Sequence, residues 1–422
     1  MNNNKVYLGD VVEIQNHLRV PLSKMERQNR KGTIPYYGAT GVLDYIDQSI
    51  FTGKHILVAE DGSVLTEKDT PVLQLVDGKF WVSNHAHILS CNNEDDLYFI
   101  YYALQNTNIS EFVSGSVQLK LNKSNLLKIK IPFLQDPILR SKISNFLKDL
   151  DKKIEINVQL NQSLEKIAKT IFNSWFVKFD PVKVKKKGEP LTFSKNISDL
   201  FPNFLEDSEL GKIPKGWNII KLGDILDILS GHAFKSKDYL DEGIFVLRTK
   251  NFHNGIVKKT SKDVFLSENF LKTHKDFICE EFDYHLVMVG ASLGDTGMIL
   301  SDCLPALRNQ NMWCFKPKNS KISNFFTKFT VDMVTRKLKS YATGSARDFF
   351  TKEDFRNHLL VLPNNQILDQ YKIISDLLLK KISKNFEEIN LLKQLKEYLS
   401  PRLIKGKLRI SDAKQTVREA TN

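Results

Sequence analysis

The sequence predicts an α+β fold made of two tandem copies of one unit, each a mixed, β-rich domain followed by a long amphipathic helix. Three observations predict it. Leu8-Gly9-Asp10-Val11-Val12-Glu13-Ile14 recurs as Leu222-Gly223-Asp224-Ile225-Leu226-Asp227-Ile228, 214 positions later. Ser114-Gly115-Ser116 recurs as Thr343-Gly344-Ser345, and each leads through a polar stretch to an apolar run ending in proline. Those runs are Ile129-Lys130-Ile131-Pro132 and Leu360-Val361-Leu362-Pro363, with the prolines 231 positions apart. Each copy then ends in a stretch with apolar residues at three- and four-residue spacing. Self-similarity at a long period marks a repeated structural unit. The offset grows along the chain because the second copy is longer.

The first mixed domain is assigned to 1–133 and the second to 210–363. Short β-type runs such as His55-Ile56-Leu57-Val58-Ala59 and His285-Leu286-Val287-Met288-Val289 are bounded by glycine turns (Gly62, Gly290, Gly294, Gly297), the pattern of strands with exposed loops. A helical spacer region follows at 134–180. Its apolar stripe is Ile143, Leu147, Leu150, Ile154, Val158, Leu164, Ala168, Ile171 and Trp175. The distal spacer region and a basic tail occupy 364–422, with the stripe Ile374, Leu378, Ile382, Phe386, Ile389, Leu392, Leu395 and Leu399. Both stripes have helical period. Pro401 is expected to close the second helix. Thirty helical residues span about 45 Å, and an amphipathic helix of that length seeks a partner. Pairing of the two as antiparallel coiled-coil helices is the economical solution. Asn157 and Asn161 interrupt the first stripe, through solvent exposure or as a register device.

Lys and Arg number 61 against 49 Asp and Glu, a net charge of +12. An acidic partner follows, nucleic acid first and anionic membrane second. Apolar residues make up 41%, too many for a disordered tail protein. Basic runs lie in the linker at 181–209 and just before it (Lys178, Lys183, Lys185, Lys186, Lys187) and past the second helix (Arg402, Lys405, Lys407, Arg409). Such runs suit a phosphate backbone or a solvated surface. Four cysteines without a CxxC pair predict neither a disulfide scaffold nor a structural zinc of the usual spacing. With no apolar signal core at the N-terminus and no apolar run near 18 residues, the expectation is a soluble, cytoplasmic protein.

Four stretches together resemble the specificity (S) subunit of type I restriction–modification enzymes. They are the Leu-Gly-Asp openings at Leu8 and Leu222, and Ser174-Trp175-Phe176-Val177-Lys178-Phe179-Asp180-Pro181-Val182. The others are Glu209-Leu210-Gly211-Lys212-Ile213-Pro214-Lys215-Gly216-Trp217 and the Gly-Ser segment followed by an Ile-x-Ile-Pro strand. The resemblance covers nearly the whole chain. It implies two target-recognition domains that each read half of a split double-stranded DNA sequence, separated by two antiparallel helices. It also implies docking of two modification (methyltransferase) subunits, with Ile154, Leu164, Trp175, Phe386 and Leu395 as candidate docking residues. It further implies that restriction–translocase subunits join that core, and that S-adenosylmethionine, ATP and magnesium are bound by those partners with no cofactor on this chain. A 45 Å spacer equals about 13 base pairs of rise. The second helix departs from the pattern. It ends in Ser400-Pro401-Arg402-Leu403 without a Trp-Phe-Asp-Pro element, so the tail either dangles or folds back on the N-terminal domain.

No catalytic residue and no metal ligand set is expected. An amino-methylating Asn/Asp-Pro-Pro-aromatic tetrapeptide, a P-loop and a Gly-x-Ser-x-Gly elbow are all missing from the sequence. Glu60-Asp61 with Glu67-Lys68 read as charged loop residues rather than a nuclease centre. His85 and His87 are spaced to share a strand face but lack a third ligand. Candidate base readers are loop residues with base-edge chemistry. In the first domain they are Tyr36, Tyr37, Gly38, Asp61, Gly62, Ser63, Lys79, Trp81, Asn84 and His85. In the second they are Phe234, Lys235, Arg248, Lys250, Asn251, Ser292, Arg308, Asn309, Gln310 and Arg347. Two other classes stay open: a self-contained DNA methyltransferase or nuclease, and a helical interaction protein that binds DNA without sequence preference.

Overall fold

The computed structural model describes residues 5–189, 194–342 and 350–421. Two compact units emerge, and neither is a continuous stretch of a domain plus its own helix. The first comprises Met1–Ile156 with Glu388–Asn422, the second Asn157–Glu387. Each long helix, Pro137–Phe172 and Asn365–Ile404, is therefore shared between the units.

In the first unit, strands Glu13–Ile14, Ala86–Ser90, His55–Ala59 and Leu73–Val76 pair in that order. Strands Val42–Ile46, Lys31–Tyr37, Lys79–Val82 and Phe51–Thr52 form a second four-stranded layer. His55–Ala59 is buried at every position, which is why its sequence runs apolar rather than alternating. Helix Glu94–Gln105 is capped by Asn93, whose side chain accepts from the Asp95 and Asp96 amides. Its face of Leu97, Ile100, Tyr102 and Leu104 enters the main core of this unit.

The second unit repeats this plan with additions. Strands Leu226–Ser230, Met312–Pro317, Tyr284–Val287 and Thr296–Met298 follow the same order and continue into Gly255–Val257 and Phe252–His253. Phe265–Leu266, Ile244–Leu247, Ala306–Arg308 and Ile278–Cys279 form the second layer. The Leu-Gly-Asp repeat has a physical basis. The Leu8 amide donates to the Ile129 carbonyl and the Leu222 amide to the His358 carbonyl, both at 2.8 Å. In each copy the opening strand also pairs antiparallel with the strand that runs up to the proline, Lys5–Tyr7 with Lys130–Pro132 and Asn218–Lys221 with Leu359–Leu362. The motifs at the two ends of each copy thus tie its chain ends together.

The helices run antiparallel where each unit holds both. In the first unit Lys153 pairs with Glu388 at 3.3 Å and Asp151 with Lys396 at 2.5 Å. In the second the Asn385 side chain donates to Asn161 Oδ1 at 2.8 Å, and the Tyr371 hydroxyl to the Ala168 carbonyl. Asn157 and Asn161 are buried, so solvent exposure does not explain the interrupted stripe. A buried Asn–Asn pair penalises every register that leaves either amide alone.

Pro401 does not end the second helix, which runs on to Ile404. Leu399, Leu403 and Ile404 are fully buried in the core of the first unit, and that packing outweighs the missing amide. The stop comes at Gly406, with φ +63°. The tail then folds back on the N-terminal domain: Ala413 of helix Ile410–Thr421 is fully buried in the same core, and the Asn106 amide donates to the Ser400 hydroxyl at 2.8 Å.

The Trp-Phe-x-x-Phe-Asp-Pro stretch also acquires a reason. Trp175 and Phe176 are buried among Phe172, Phe201, Trp217 and Tyr371. Phe179 adopts a left-handed conformation, φ +56°, and turns the chain into helix Asp180–Lys186 with proline in its first turn. Lys185 of the basic run is engaged there, donating to the Phe201 carbonyl at 2.6 Å. Lys183, Lys186 and Lys187 are exposed.

Candidate nucleic-acid interface

In the first unit three loop segments converge. The Glu60 amide donates to the His85 carbonyl at 2.9 Å, the Gly62 amide to the Leu119 carbonyl at 3.0 Å, and the Leu121 amide to the Glu60 carbonyl at 2.8 Å. Residues 60–63, 84–85 and 114–120 therefore form one rim. Gly62, Ser63, Asn84, His85, Gln118 and Lys120 are exposed on it. The His85 ring sits 2.8 Å from the Asp61 carboxylate. The 114–120 turn closes on paired Ser114–Lys120 backbone bonds of 2.7 and 2.9 Å. Gly115 is required there: φ is +96°, and a Cβ would lie 2.2 Å from the Gln118 carbonyl oxygen. Gln118 and Lys120 were not selected from the sequence, although the Gly-Ser repeat pointed to their segment. Arg19 is another omission. It lies far away in sequence, yet bonds Glu60 at 2.6 Å and the carbonyls of Asn84 and Ala86, bracing the rim from beneath.

Other first-domain candidates fall elsewhere. Tyr36 and Trp81 are buried, with Arg27 over the Tyr36 ring at 5.1 Å and Arg30 over the Trp81 ring at 4.8 Å. The Trp81 indole donates to the Val20 carbonyl. Both rings are core. Gly38 is buried. Tyr37 is half-buried against Phe80, and burial raises its hydroxyl pKa. Lys79 is exposed but opens strand Lys79–Val82, at the end away from the rim. His85 and His87 do not make a metal pair. His87 is buried, bonded to the Leu121 carbonyl at 2.7 Å and to Asn16 at 2.8 Å. Its pKa is lowered chiefly by burial. Glu60, Asp61 and Lys68 are each engaged apart, with Arg19, His85 and Glu397.

The second unit builds its rim at the corresponding place. The Asn309 amide donates to the Leu247 carbonyl, the Gln310 amide to the His232 carbonyl, and the Met288 amide to the Asn311 carbonyl. Residues 231–235, 248–250, 288–292 and 309–311 thereby adjoin. Gly231 allows the closest approach: a Cβ would lie 1.8 Å from the Asn309 carbonyl oxygen. Lys235, Gln310 and Asn311 are exposed, while Arg248, Lys250, Ser292 and Asn309 are partly so. The Lys250 ammonium is held by Asp263 at 3.1 Å, and Ser292 accepts the Asp295 amide in a turn. His232 joins the rim unanticipated, packed on Phe234, His274 and Phe277. Its pKa is lowered by burial and by His274.

Three second-domain candidates are structural. Arg308 is 2% exposed, and its guanidinium donates to the carbonyls of Ser230, Ile278 and Asp276. Asn251 is fully buried. It accepts the Arg248 amide and donates to the Lys258 carbonyl and Asp263. Phe234 is buried among Phe270, Phe277 and their neighbours. Arg347 lies outside the described residues. The docking candidates also prove to be seam residues. Trp175 and Leu395 are buried, and Ile154, Leu164 and Phe386 pack on the cores. The apolar positions left exposed on the helices include Ile138, Ile156, Val158, Leu160, Ile167, Ile373, Leu377 and Tyr398.

Two copies of one frame, each with an exposed polar rim, match a known family model. Residues 2–166 and 214–397 match the type I restriction modification DNA specificity domain. The chain belongs to this family. A type I restriction enzyme specificity subunit, MjaIX, from Methanocaldococcus jannaschii is 26% identical over 322 residues, spanning 74% of this chain and 69% of that one. The MjaVIII specificity subunit of the same organism is 24% identical over 407 residues, covering 92% and 89%. The crystal structure of a type I restriction–modification S subunit from M. genitalium shares the fold with a TM-score of 0.58 at 18% identity, covering 97% of this chain and 98% of that one. Members of the family are specificity subunits by name, and the tandem domains, paired helices and internal repeat of this chain agree with the fold. No helix among the described residues is long and apolar enough to cross a membrane.

Proposed function

We propose that this chain is the DNA-recognition and scaffold subunit of a type I restriction–modification complex, with no catalytic centre of its own. Each recognition domain reads one half of a two-part duplex target. The observation that carries this reading is the duplicated frame with a polar loop rim at the same place in each copy. Exposed Asn, Gln, His, Ser and Lys side chains on those rims have the donors and acceptors that base edges require. The exposed lysines of the linker and tail supply sequence-blind phosphate contacts.

The buried seam between the long helices fixes the separation of the half-sites. Ile156, Leu160, Ile167, Ile373 and Leu377, left exposed on those helices, suit docking of modification subunits, two per complex. Restriction–translocase subunits then join. S-adenosylmethionine, ATP and magnesium are bound by these partners, in the cytoplasm. The test is co-expression with a cognate methyltransferase subunit, followed by methylome sequencing. Methylation at a split motif is expected. An assembled complex that methylates no split motif overturns the reading.

A further inference from the structure

Three strands of the second unit bring ligand-type side chains into one buried place. His285 on Tyr284–Val287 and Cys314 on Met312–Pro317 are directly opposite each other. Asp283, His285 and Cys314 each place one ligand atom within 4.8 Å of the other two. Cys279, on strand Ile278–Cys279 of the other layer, has its Sγ 3.8 Å from His285 Nε2. All four residues are buried, His285 completely, and its Nδ1 makes no hydrogen bond of acceptable geometry.

We propose that Cys279, Asp283, His285 and Cys314 hold a structural zinc ion. Tetrahedral zinc with bonds of about 2.3 Å to sulfur and 2.0–2.1 Å to nitrogen or oxygen separates its ligand atoms by about 3.3–3.8 Å. The Cys279–His285 spacing, to Nε2, already lies at that value, and the Asp283, His285 and Cys314 ligand atoms, all within 4.8 Å of one another, draw in by about 1 Å around the ion. Asp283 supplies one carboxylate oxygen while the other keeps the Glu280 amide at 2.9 Å. Two thiolates and a carboxylate leave one net negative charge on the zinc complex. Lys316, 3.4 Å from Asp283 and 3.0 Å from Glu280, and the Arg308 guanidinium bonded to the Ile278 carbonyl are placed to offset it. Four protein ligands leave no open position, so the ion staples two sheets and does no chemistry. Sequence spacing hides such a site, because its ligands at 279, 283, 285 and 314 contain no CxxC pair.

The test uses the full chain expressed with zinc in the medium, then assayed for zinc by elemental analysis and for Co(II) uptake by absorption. One zinc per chain and a thiolate-to-cobalt charge-transfer band are expected. Cys279→Ser and Cys314→Ser should lose both signals, while Cys91→Ser and Cys303→Ser, which lie outside the ligand set, keep them. If the ligand variants fail to fold, the wild-type cobalt spectrum decides alone. A folded wild-type chain without zinc and without the cobalt band overturns the proposal. So does undiminished zinc in the Cys279→Ser/Cys314→Ser double variant.

Discussion

The two recognition domains share a frame and differ at the rim. The frame bonds are duplicated to the tenth of an ångström, 2.8 Å for Leu8 to Ile129 and for Leu222 to His358. The rims differ in the side chains they display, although an arginine bonded to backbone carbonyls braces each of them. The first pairs Asp61 with His85. The second packs His232 on His274 and two phenylalanines, and is underpinned by a buried arginine. Backbone closure is the same task in both halves, so the same residues serve it. Reading different half-sites is a different task, and its side chains diverge.

Substitutions break this comparison from either side. The largest effect is expected beneath the second rim. Arg308→Ala leaves three carbonyls without their charged donor and should destabilise the domain by about 3 kcal/mol or more, read by thermal unfolding. Gly231→Ala drives a Cβ into the Asn309 backbone and should cost about 1–3 kcal/mol, with a matching loss of methylation. Along the helices, Asn161→Leu or Asn385→Leu alone should cost about 1–3 kcal/mol. The double replacement should recover most of that, and a double-mutant cycle measures the coupling. Gln310→Ala on the rim should change stability by no more than about 0.5 kcal/mol. It should nonetheless lose about 1–3 kcal/mol of discrimination at one half-site.

The histidine environments sharpen the comparison through pH. Burial lowers the pKa of His87 from its usual 6.5, so the folded first domain holds it neutral while the unfolded chain protonates. Stability from this group is complete above the unfolded value and is lost as pH falls below about 6.5. His87→Gln should flatten that dependence in unfolding measurements between pH 7 and pH 4.

Much of the frame was legible in the sequence, because repeats, strand-ending prolines and helical stripes are local patterns. The rim was legible only in part. Glycine turns flagged residues 61–63, and side-chain chemistry flagged Asn84, His85, Asn309 and Gln310, but chemistry alone does not reveal depth. Arg308 and Asn251 have the right functional groups and spend them on backbone carbonyls and neighbouring turns. Tyr36 and Trp81 are aromatic for packing. Pro401 was misleading because propensity is local, while the burial that holds residues 399–404 helical comes from a domain almost 300 residues earlier. The same distance hid the return of the tail.

The most direct measurement is methylome sequencing of cells that express this chain with a cognate methyltransferase subunit, compared with the Asn309→Ala/Gln310→Ala variant. The account predicts a split methylated motif in which the variant relaxes one half and leaves the other unchanged. Relaxation of both halves together, or an unchanged motif with the second rim removed, would contradict it.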